Sequence, residues 1–299
     1  MDGILNIHKA TGMTSHDVVA RVRKIVKQRR VGHAGTLDPA ASGVLPICIG
    51  QGTRVAEYLS ESGKAYQAEI IFGTVTDTYD TEGEVIRTSD WSQLTLPQIE
   101  QAVQSFLGPQ LQLPPRFSAI KIKGQPAYKL ARAGTEVVLE ARPITISNIT
   151  ISDWQAPRLS LEVECSKGTY IRSLAYDLGE RVGTGAHLGG LVRTRSGPFV
   201  LEKSSSLEEL AEAMEKGELE KLLFPSDFAL PSAQEVRLDQ ATTEKVLHGN
   251  SFEAASVKGQ SSNDLARVYD PAGVFLAIAQ WDPEKQAWQP KKVLAGETK

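Results

Sequence analysis

Two hydrophobic periodicities follow one another along the chain, and its fold must satisfy both. Over residues 159–165, apolar side chains occupy every second position, which predicts a strand with one buried face. Directly after it, apolar residues recur every three or four positions from Ile171 to Val182, and Gly183 follows them. That spacing predicts an amphipathic helix that ends at the glycine. The sequence therefore predicts strands and helices in close succession.

The same criteria divide the rest of the chain into short elements. Helices are predicted at 16–28, with Ser15 as the cap, and at 53–59, 96–107 and 208–223. Strands are predicted at 4–7, 44–49 and 66–72, with a loop at 31–43. A proline-bounded segment at 225–231 predicts a linker. Beyond it, four short strands predict a small β-rich module over about 233–299.

The length and composition indicate an ordinary globular protein. A chain of 299 residues is typical of about two domains and can bury a core without disulfide bonds. Its two cysteines, Cys48 and Cys165, exclude a disulfide scaffold. No apolar stretch approaches the length of a membrane span, and the first residues lack the regions of a signal peptide. We therefore expect a cytoplasmic protein with no membrane partner.

The charges are unevenly distributed. A net charge of −3 argues against a nucleic-acid partner, because phosphate attraction usually requires a basic surplus. Two intervals contain no acid, however, and the acids lie elsewhere, mainly within 57–84 and 208–220. The first interval holds Arg21, Arg23, Lys24, Lys27, Arg29 and Arg30, and the second holds Arg116, Lys121, Lys123, Lys129 and Arg132. Each could be a solvated surface, but two such intervals together favour an anionic ligand.

The familiar metal and nucleotide motifs are missing from the sequence. Its five histidines form no H-E-x-x-H pattern, and no Cys-x-x-Cys pair is present. A phosphate-binding loop of the G-x-x-x-x-G-K-[ST] type and a Gly-x-Ser-x-Gly elbow are also absent. We expect neither a metal nor a cofactor.

Three features could carry chemistry. The small-residue loop 32–39 follows the basic helix and contains one acid, Asp38, whose pKa nearby cations are expected to lower, as suits a nucleophile. Alternatively, Asp38 caps a turn. Arg172 stands in the first turn of a helix, against the helix dipole, which indicates either pairing with an anion or a surface position. Tyr66, at the start of a strand, could stack on a base or belong to the core.

Several segments between residues 3 and 200 form an ordered set of motifs. The segments are Gly3-Ile4-Leu5-Asn6-Ile7-His8-Lys9, Gly32-His33-Ala34-Gly35-Thr36-Leu37-Asp38-Pro39, Lys64-Ala65-Tyr66, Phe117-Ser118-Ala119-Ile120-Lys121, Ser166-Lys167-Gly168-Thr169-Tyr170-Ile171-Arg172 and Leu191-Val192-Arg193. Together, and in this order, they resemble the TruB family of bacterial tRNA pseudouridine-55 synthases. The terminal module is only loosely similar to the PUA-like domain that the family has there.

The resemblance implies an α+β fold with a mixed, mainly antiparallel sheet and surrounding helices. It implies a catalytic domain over 1–232, an insertion at about 117–143 that clasps RNA, and a PUA-like domain over 233–299. The implied function is isomerisation of uridine 55 in the tRNA T loop, with base flipping and a secondary role as a tRNA folding chaperone. We expect the T stem-loop of tRNA as the partner and a monomer as the assembly.

The resemblance also assigns residues. Asp38 would be the catalytic aspartate, Arg172 its ionic partner and Tyr66 the residue that stacks on the target base. His33 would fill the space that the flipped base leaves, and Lys9, Tyr170 and Leu191 would line the pocket. Phosphate contacts are expected from Arg21, Arg23, Lys24 and Lys27, and from Lys121, Lys123, Lys129 and Arg132 of the insertion. A non-catalytic RNA-binding module and a uracil-releasing glycosylase remain alternatives.

Overall fold

The computed structural model describes residues 1–118, 120–122, 124–132, 139–254 and 257–294. Its helices are α1 (Ser15–Val26), α2 (Ala56–Glu61), α3 (Leu96–Gln104), α4 (Ala127–Arg132), α5 (Ile171–Val182), α6 (Leu207–Glu215) and α7 (Gln240–Leu247). Its first strands are β1 (Gly3–Lys9), β2 (Val31–His33), β3 (Ser42–Ile49), β4 (Lys64–Phe72), β5 (Thr74–Thr76), β6 (Val85–Thr88), β7 (Gly108–Gln112), β8 (Lys121–Ile122) and β9 (Gln125–Pro126). The later strands are β10 (Arg142–Gln155), β11 (Arg158–Cys165), β12 (Ala186–Ser196), β13 (Phe199–Val200), β14 (Leu223–Phe224), β15 (Gln234–Arg237), β16 (Leu265–Tyr269), β17 (Phe275–Asp282) and β18 (Ala287–Val293).

A ten-stranded sheet organises most of the chain. Its strand order is β14-β1-β3-β12-β4-β11-β10-β7, with β2 added beside β3 and β13 beside β12. All of these neighbours are antiparallel except β3 and β12, which run parallel. The predicted mixed, mainly antiparallel sheet with surrounding helices is therefore confirmed.

The helices cover this sheet with apolar stripes that the sequence predicted. Val18 and Val22 of α1, Ile99 of α3 and Leu174 of α5 are buried in one cluster with sheet residues such as Ile70. Their spacing of three or four positions places the apolar residues of each helix on one face, and that face packs against the sheet. The helix α1 begins one residue earlier than predicted, because the Thr14 side chain, and not Ser15, caps it.

The two central strands of the sheet approach each other more closely than side chains would allow. Gly43 of β3 lies opposite Arg193 of β12, and its φ is +107°. A Cβ atom at Gly43 would lie 2.3 Å from the Arg193 carbonyl oxygen, so only glycine fits there. This contact ties the strand that follows the Asp38 loop to the middle of β12.

The C-terminal part forms a second sheet of four strands, β15-β16-β17-β18. Its core contains the Trp281 and Trp288 rings, 5.3 Å apart, so the predicted β-rich character of this part is confirmed. Its Ile278 and Leu294 side chains share a cluster with Leu230 and with residues of the large sheet. The division at 232/233 and the PUA-like character remain predictions.

Two predictions about this half of the chain were wrong, and one helix was missed. The helix predicted at 208–223 ends at Glu215, because Gly217 follows in a left-handed conformation with φ +70°. The segment predicted as a linker is packed: Ser226–Ala229 forms a short 3-10 helix, and Leu230 is buried. Helix α7 was not predicted, since its apolar face is short.

Candidate active site

The loop that contains Asp38 is held by buried side chains around it. The Ser15 hydroxyl accepts a hydrogen bond from the Leu37 amide (2.9 Å) and donates one to the Leu37 carbonyl oxygen (3.1 Å). The Arg193 guanidinium donates to the carbonyl oxygens of Gly35 (3.0 Å) and Thr36 (3.2 Å). Because the backbone polar groups around Asp38 are satisfied by fixed partners, the loop presents its carboxylate from a defined position.

Arg172 joins this loop to the rest of the site. Its Nε lies 3.0 Å from Oδ2 of Asp38, and its Nη1 lies 3.4 Å from Oδ2 of Asp80. The same guanidinium donates to the carbonyl oxygens of Thr78 (3.3 Å) and Phe117 (3.0 Å). Only 7% of the Arg172 side chain is exposed, so the alternative of a surface arginine is wrong. The first turn of α5 contains no acidic residue, and it places the Arg172 guanidinium between the Asp38 and Asp80 carboxylates.

The protonation of Asp38 differs from the prediction. Its side chain opens onto a cavity and is 40% exposed, but protein encloses the carboxyl group on its other sides. This burial raises the pKa of Asp38 above its usual value, and the nearby Asp80 adds to the rise. Arg172 and Lys9 oppose the rise without reversing it. The lowered pKa predicted from the neighbouring cations is therefore wrong, because burial is the larger effect.

A cavity of about 250 Å³ lies in front of this ion pair. Asp38, Tyr66, Tyr170, Arg172 and Leu191 all line it, together with the Ser118, Ser166 and Lys64 side chains. Tyr66 is 9% exposed and lies opposite Arg193 in the register of β4 and β12, so it belongs both to the core and to the cavity wall. Burial raises the pKa of Tyr66. The structure thus brings together five residues that the sequence assigned to the site.

Lys9, which was assigned to the pocket, lies elsewhere, and the role of His33 in the space that the flipped base leaves remains a prediction. Lys9 has no exposed surface, and its Nζ donates to the carbonyl oxygens of Met13 (2.7 Å), Ala10 (2.9 Å) and Pro39 (3.3 Å). Burial lowers its pKa to about 8. His33 lies on β2, and burial lowers its pKa. Neither is among the described residues that line the cavity. Through its hydrogen bond to Pro39, Lys9 supports the loop that contains Asp38 (residues 32–39, the catalytic loop) from the side away from the cavity. This corrects its assignment as a pocket residue.

The basic residues assigned to phosphate contacts are placed on one exposed helix face and in the insertion. Arg21, Arg23, Lys24 and Lys27 are exposed on or just after α1, opposite its buried valines. In the insertion, Lys129 is exposed on α4. Lys123 and the side chains of Lys121 and Arg132 lie outside the described residues.

The sequence did not identify Asp80, Lys64 or Arg193 as parts of the site. Asp80 was grouped with acids placed away from the catalytic loop, but the turn between β5 and β6 carries it to Arg172. Lys64 and Arg193 belong to motifs that carried the family resemblance, yet their burial gave no signal in the sequence. A search for acids within short, turn-rich segments would have found Asp80, since Asp77-Thr78-Tyr79-Asp80 is such a segment.

A larger cavity of about 610 Å³ lies between the two sheets, where Tyr58, Pro198, Leu230 and Leu265 contribute to its lining. We place the candidate site in the smaller cavity, because that is where a carboxylate, a buried arginine and a tyrosine converge. Among the residues that the structure describes, no cluster of three metal-ligating side chains occurs. None of the described helices is both long and apolar enough to span a membrane.

Comparisons with known proteins find relatives over most of the chain. Residues 23–171 match the family described as TruB family pseudouridylate synthase (N terminal domain), and residues 172–231 match the tRNA pseudouridylate synthase B C-terminal domain. A protein of Clostridium perfringens (strain SM101) named tRNA pseudouridine synthase B is 43% identical over 288 residues, which cover 94% of this chain and 96% of that protein. A protein of Geobacter sulfurreducens with the same name is 46% identical over 249 residues, covering 83% of this chain and 82% of that protein.

Solved structures show the same fold. A chain from a structure described as a Cbf5-Nop10-Gar1 complex is 27% identical, with a TM-score of 0.76, and the match covers 98% of this chain and 84% of that one. A chain from an H/ACA RNP bound to a substrate RNA containing 2'-deoxyuridine has the same TM-score at 24% identity, covering 99% of this chain and 86% of that one. The second match supports the fold alone.

Proposed function

Because the chain belongs to the TruB family of pseudouridylate synthases, we propose that it isomerises uridine 55 in the T loop of tRNA to pseudouridine. The curated relatives that carry the name tRNA pseudouridine synthase B support tRNA as the substrate. The observation that carries the proposal is the ion pair of Asp38 and Arg172, which lies at a cavity lined by Tyr66.

The reaction exchanges a C1′–N1 bond for a C1′–C5 bond within one nucleotide. Its product is an isomer of its substrate, so the atoms balance without an added reactant. Asp38 is the carboxylate placed to act on the sugar or the base, and Arg172 stabilises the ionised form that this requires. Attack at C1′, attack at C6 and removal of the C2′ proton all use one carboxylate in this position, and we leave these routes open.

A uridine within a folded loop must leave its stack to reach Asp38. Enzymes that act on a base offset the free-energy cost of unstacking with contacts to the flipped nucleotide, commonly by stacking it on aromatic rings. Tyr66 and Tyr170 supply such rings at the cavity, and Leu191 supplies an apolar wall. These residues would hold the uracil beside the Asp38 carboxylate.

The exposed cations of α1 would hold the RNA backbone. Contacts from Arg21, Arg23, Lys24 and Lys27 to phosphates orient an RNA without reading its sequence. Lys129 of the insertion offers a further contact from α4. The tRNA would then lie on one basic face of a chain whose net charge is −3.

The test is the conversion of a T stem-loop by Asp38→Asn, with Asp153→Asn as the matched control because Asp153 is exposed on β10. We expect pseudouridine at the target uridine with wild-type protein and with the control, and none with Asp38→Asn. The RNA mass should stay unchanged, since isomerisation releases nothing, whereas a glycosylase would release uracil. Full activity of Asp38→Asn, or release of free uracil, would contradict the proposal.

A further inference from the structure

Two buried cations flank Tyr66, and the proposed mechanism does not use them. Lys64 stands two residues before Tyr66 on β4, so both side chains lie on the same face of the strand, and Arg193 lies opposite Tyr66 on β12. Lys64 is 6% exposed and Arg193 is 1% exposed, and both line the cavity in front of Asp38. A Cβ atom at Gly35 would lie 3.6 Å from Arg193 Nη1 and 4.0 Å from Lys64 Cε, so the two side chains converge on one point of the catalytic loop.

The partners of these cations are neutral. Lys64 Nζ donates to the carbonyl oxygens of Ser60 (2.6 Å), Ser62 (2.5 Å) and Leu59 (3.4 Å). Arg193 donates to Val44 (2.7 Å) and to the two carbonyl oxygens of the catalytic loop. In the described part of the chain, neither cation forms an ion pair with a carboxylate. Arg172, by contrast, contacts both Asp38 and Asp80.

Burying a charge without a counter-charge is costly even when every donor is hydrogen-bonded. The carbonyl oxygens accept hydrogen bonds from Lys64 and Arg193, but they carry no formal negative charge to balance the positive charge of each cation. The two cations also repel one another, so each raises the free-energy cost of burying the other. Both cations line the cavity in front of Asp38, where negative charge that forms during a reaction would supply the missing counter-charge.

We infer that Lys64 and Arg193 stabilise the negative charge that develops on the uracil during isomerisation. This inference rests on the proposed function. When the C1′–N1 bond breaks, its electron pair stays with N1 and the uracil becomes an anion. In the same step Asp38 either bonds to C1′ or removes the C2′ proton, whose electron pair then forms a C1′–C2′ double bond. Attack of Asp38 at C6 also moves an electron pair into the base. When the later bond from C5 to C1′ forms, the base supplies the electron pair, and the bond to Asp38 breaks or the proton returns to C2′. The proton lost from C5 is balanced by one gained at N1.

A backbone phosphate is another source of negative charge, and the two sources predict different kinetics. A cation that contacts a phosphate contributes to binding, so its loss would raise the Kd for tRNA. A cation that stabilises charge formed during the reaction contributes to the rate of the bound complex, so its loss would lower kcat. The position of both cations beside Tyr66 favours the second effect.

The experiment compares two RNA substrates under single-turnover conditions with saturating enzyme. One contains uridine at the target position, and the other contains 5-fluorouridine, whose base is a more stable anion. Because fluorine replaces the C5 proton in the second substrate, the rate followed for both is the loss of the starting nucleoside, which reports cleavage of the C1′–N1 bond. The variants are Arg193→Gln, Arg193→Lys and Lys64→Met, and the control is Arg195→Gln, since Arg195 lies on the same strand but pairs with Glu164. Circular dichroism and thermal unfolding establish that each variant is folded at the assay temperature.

For uridine we expect Arg193→Gln and Lys64→Met to lower the rate by about 10²-fold, with Kd changed less than about twofold. For 5-fluorouridine the loss should be about tenfold smaller, and Arg193→Lys should retain most of the rate because the charge remains. Equal losses on both substrates, equal losses in Arg193→Lys and Arg193→Gln, or a loss confined to Kd would overturn the inference. Failure of wild-type protein to form pseudouridine would instead contradict the proposed function.

Discussion

The chain uses the same two residue types, lysine and arginine, in two opposite settings. Lys9, Lys64, Arg172 and Arg193 are buried around the catalytic loop, where their donors meet fixed carbonyl or carboxylate oxygens. The basic face of α1, formed by Arg21, Arg23, Lys24 and Lys27, is exposed to solvent. The buried group is placed to determine geometry and local potential, and the exposed group is placed to attract a polyanion.

This difference explains how a protein of net charge −3 can act on RNA. Salt ions screen exposed charges over about 8–10 Å, whereas they reach buried charges poorly. The exposed cations should therefore control affinity and its dependence on salt. The buried cations should control the rate of the bound complex. Each prediction below separates these two contributions, beginning with the largest effect.

Arg172→Gln should cause the largest loss, because it removes the cation that faces Asp38. We expect the saturated rate to fall by about 10³-fold. Since Arg172 lowers the pKa of Asp38 against the effect of burial, its removal raises that pKa further. The rate of the variant should therefore begin to fall at a higher pH than that of wild type as the solution is acidified.

The measurement is the pH dependence of the single-turnover rate. Arg181→Gln is the control, since Arg181 lies in the last turn of the same helix, nine positions after Arg172, and packs over the Phe106 ring. An acid limb that stays at the wild-type pH in Arg172→Gln would contradict the assigned interaction.

Asp80→Asn should move the acid limb in the opposite direction. The like charge of Asp80 raises the pKa of Asp38, so its removal lowers that pKa and keeps Asp38 ionised at lower pH. The rate at neutral pH should still fall by about 10- to 100-fold, because Arg172 loses a partner that orients it. A pH profile that shifts the same way as in Arg172→Gln would contradict the like-charge effect of Asp80 on Asp38.

The double variant Lys24→Gln/Lys27→Gln should affect binding alone. We expect the Kd for tRNA to rise about tenfold at moderate salt and the slope of log K against log salt to decrease by about 2. The rate at saturation should equal that of wild type. Fluorescence titration at several salt concentrations gives both quantities, and an unchanged slope would exclude phosphate contacts by these residues.

Ser15→Ala and Thr14→Ala compare two neighbouring hydroxyls in stability. The Ser15 hydroxyl is buried and makes two hydrogen bonds to Leu37, so its removal should cost about 1–3 kcal/mol of unfolding free energy and also lower the rate. The exposed Thr14 hydroxyl caps α1, and its removal should cost about 1 kcal/mol without changing the rate. Urea denaturation with activity assays checks both, and equal rates in the two variants would contradict the role of Ser15.

The sequence predicted most of the elements because their periodicities are local. Helix α5 was placed at its observed bounds, since its apolar stripe and Gly183 together mark both the face and the end. The family resemblance placed Asp38, Tyr66 and Arg172, which the fold brings to one cavity.

What the sequence could not predict depends on distant contacts. Asp80 reaches Arg172 from 92 positions earlier in the chain, through a turn whose placement is set by the packing of two strands. The burial of Lys9 and Arg193 follows from the register of β1, β3 and β12, which no local pattern encodes. The raised pKa of Asp38 was missed for the same reason, because burial is a property of the assembled fold.

The most direct test of the two roles is a salt titration of wild-type protein with a T stem-loop. The single-turnover rate is measured at enzyme concentrations that saturate the RNA at every salt concentration, and Kd is measured in the same buffers. We expect Kd to rise steeply with salt while the saturated rate stays constant, because exposed cations bind the RNA and buried cations act within the complex. A saturated rate that falls in parallel with affinity would contradict this division.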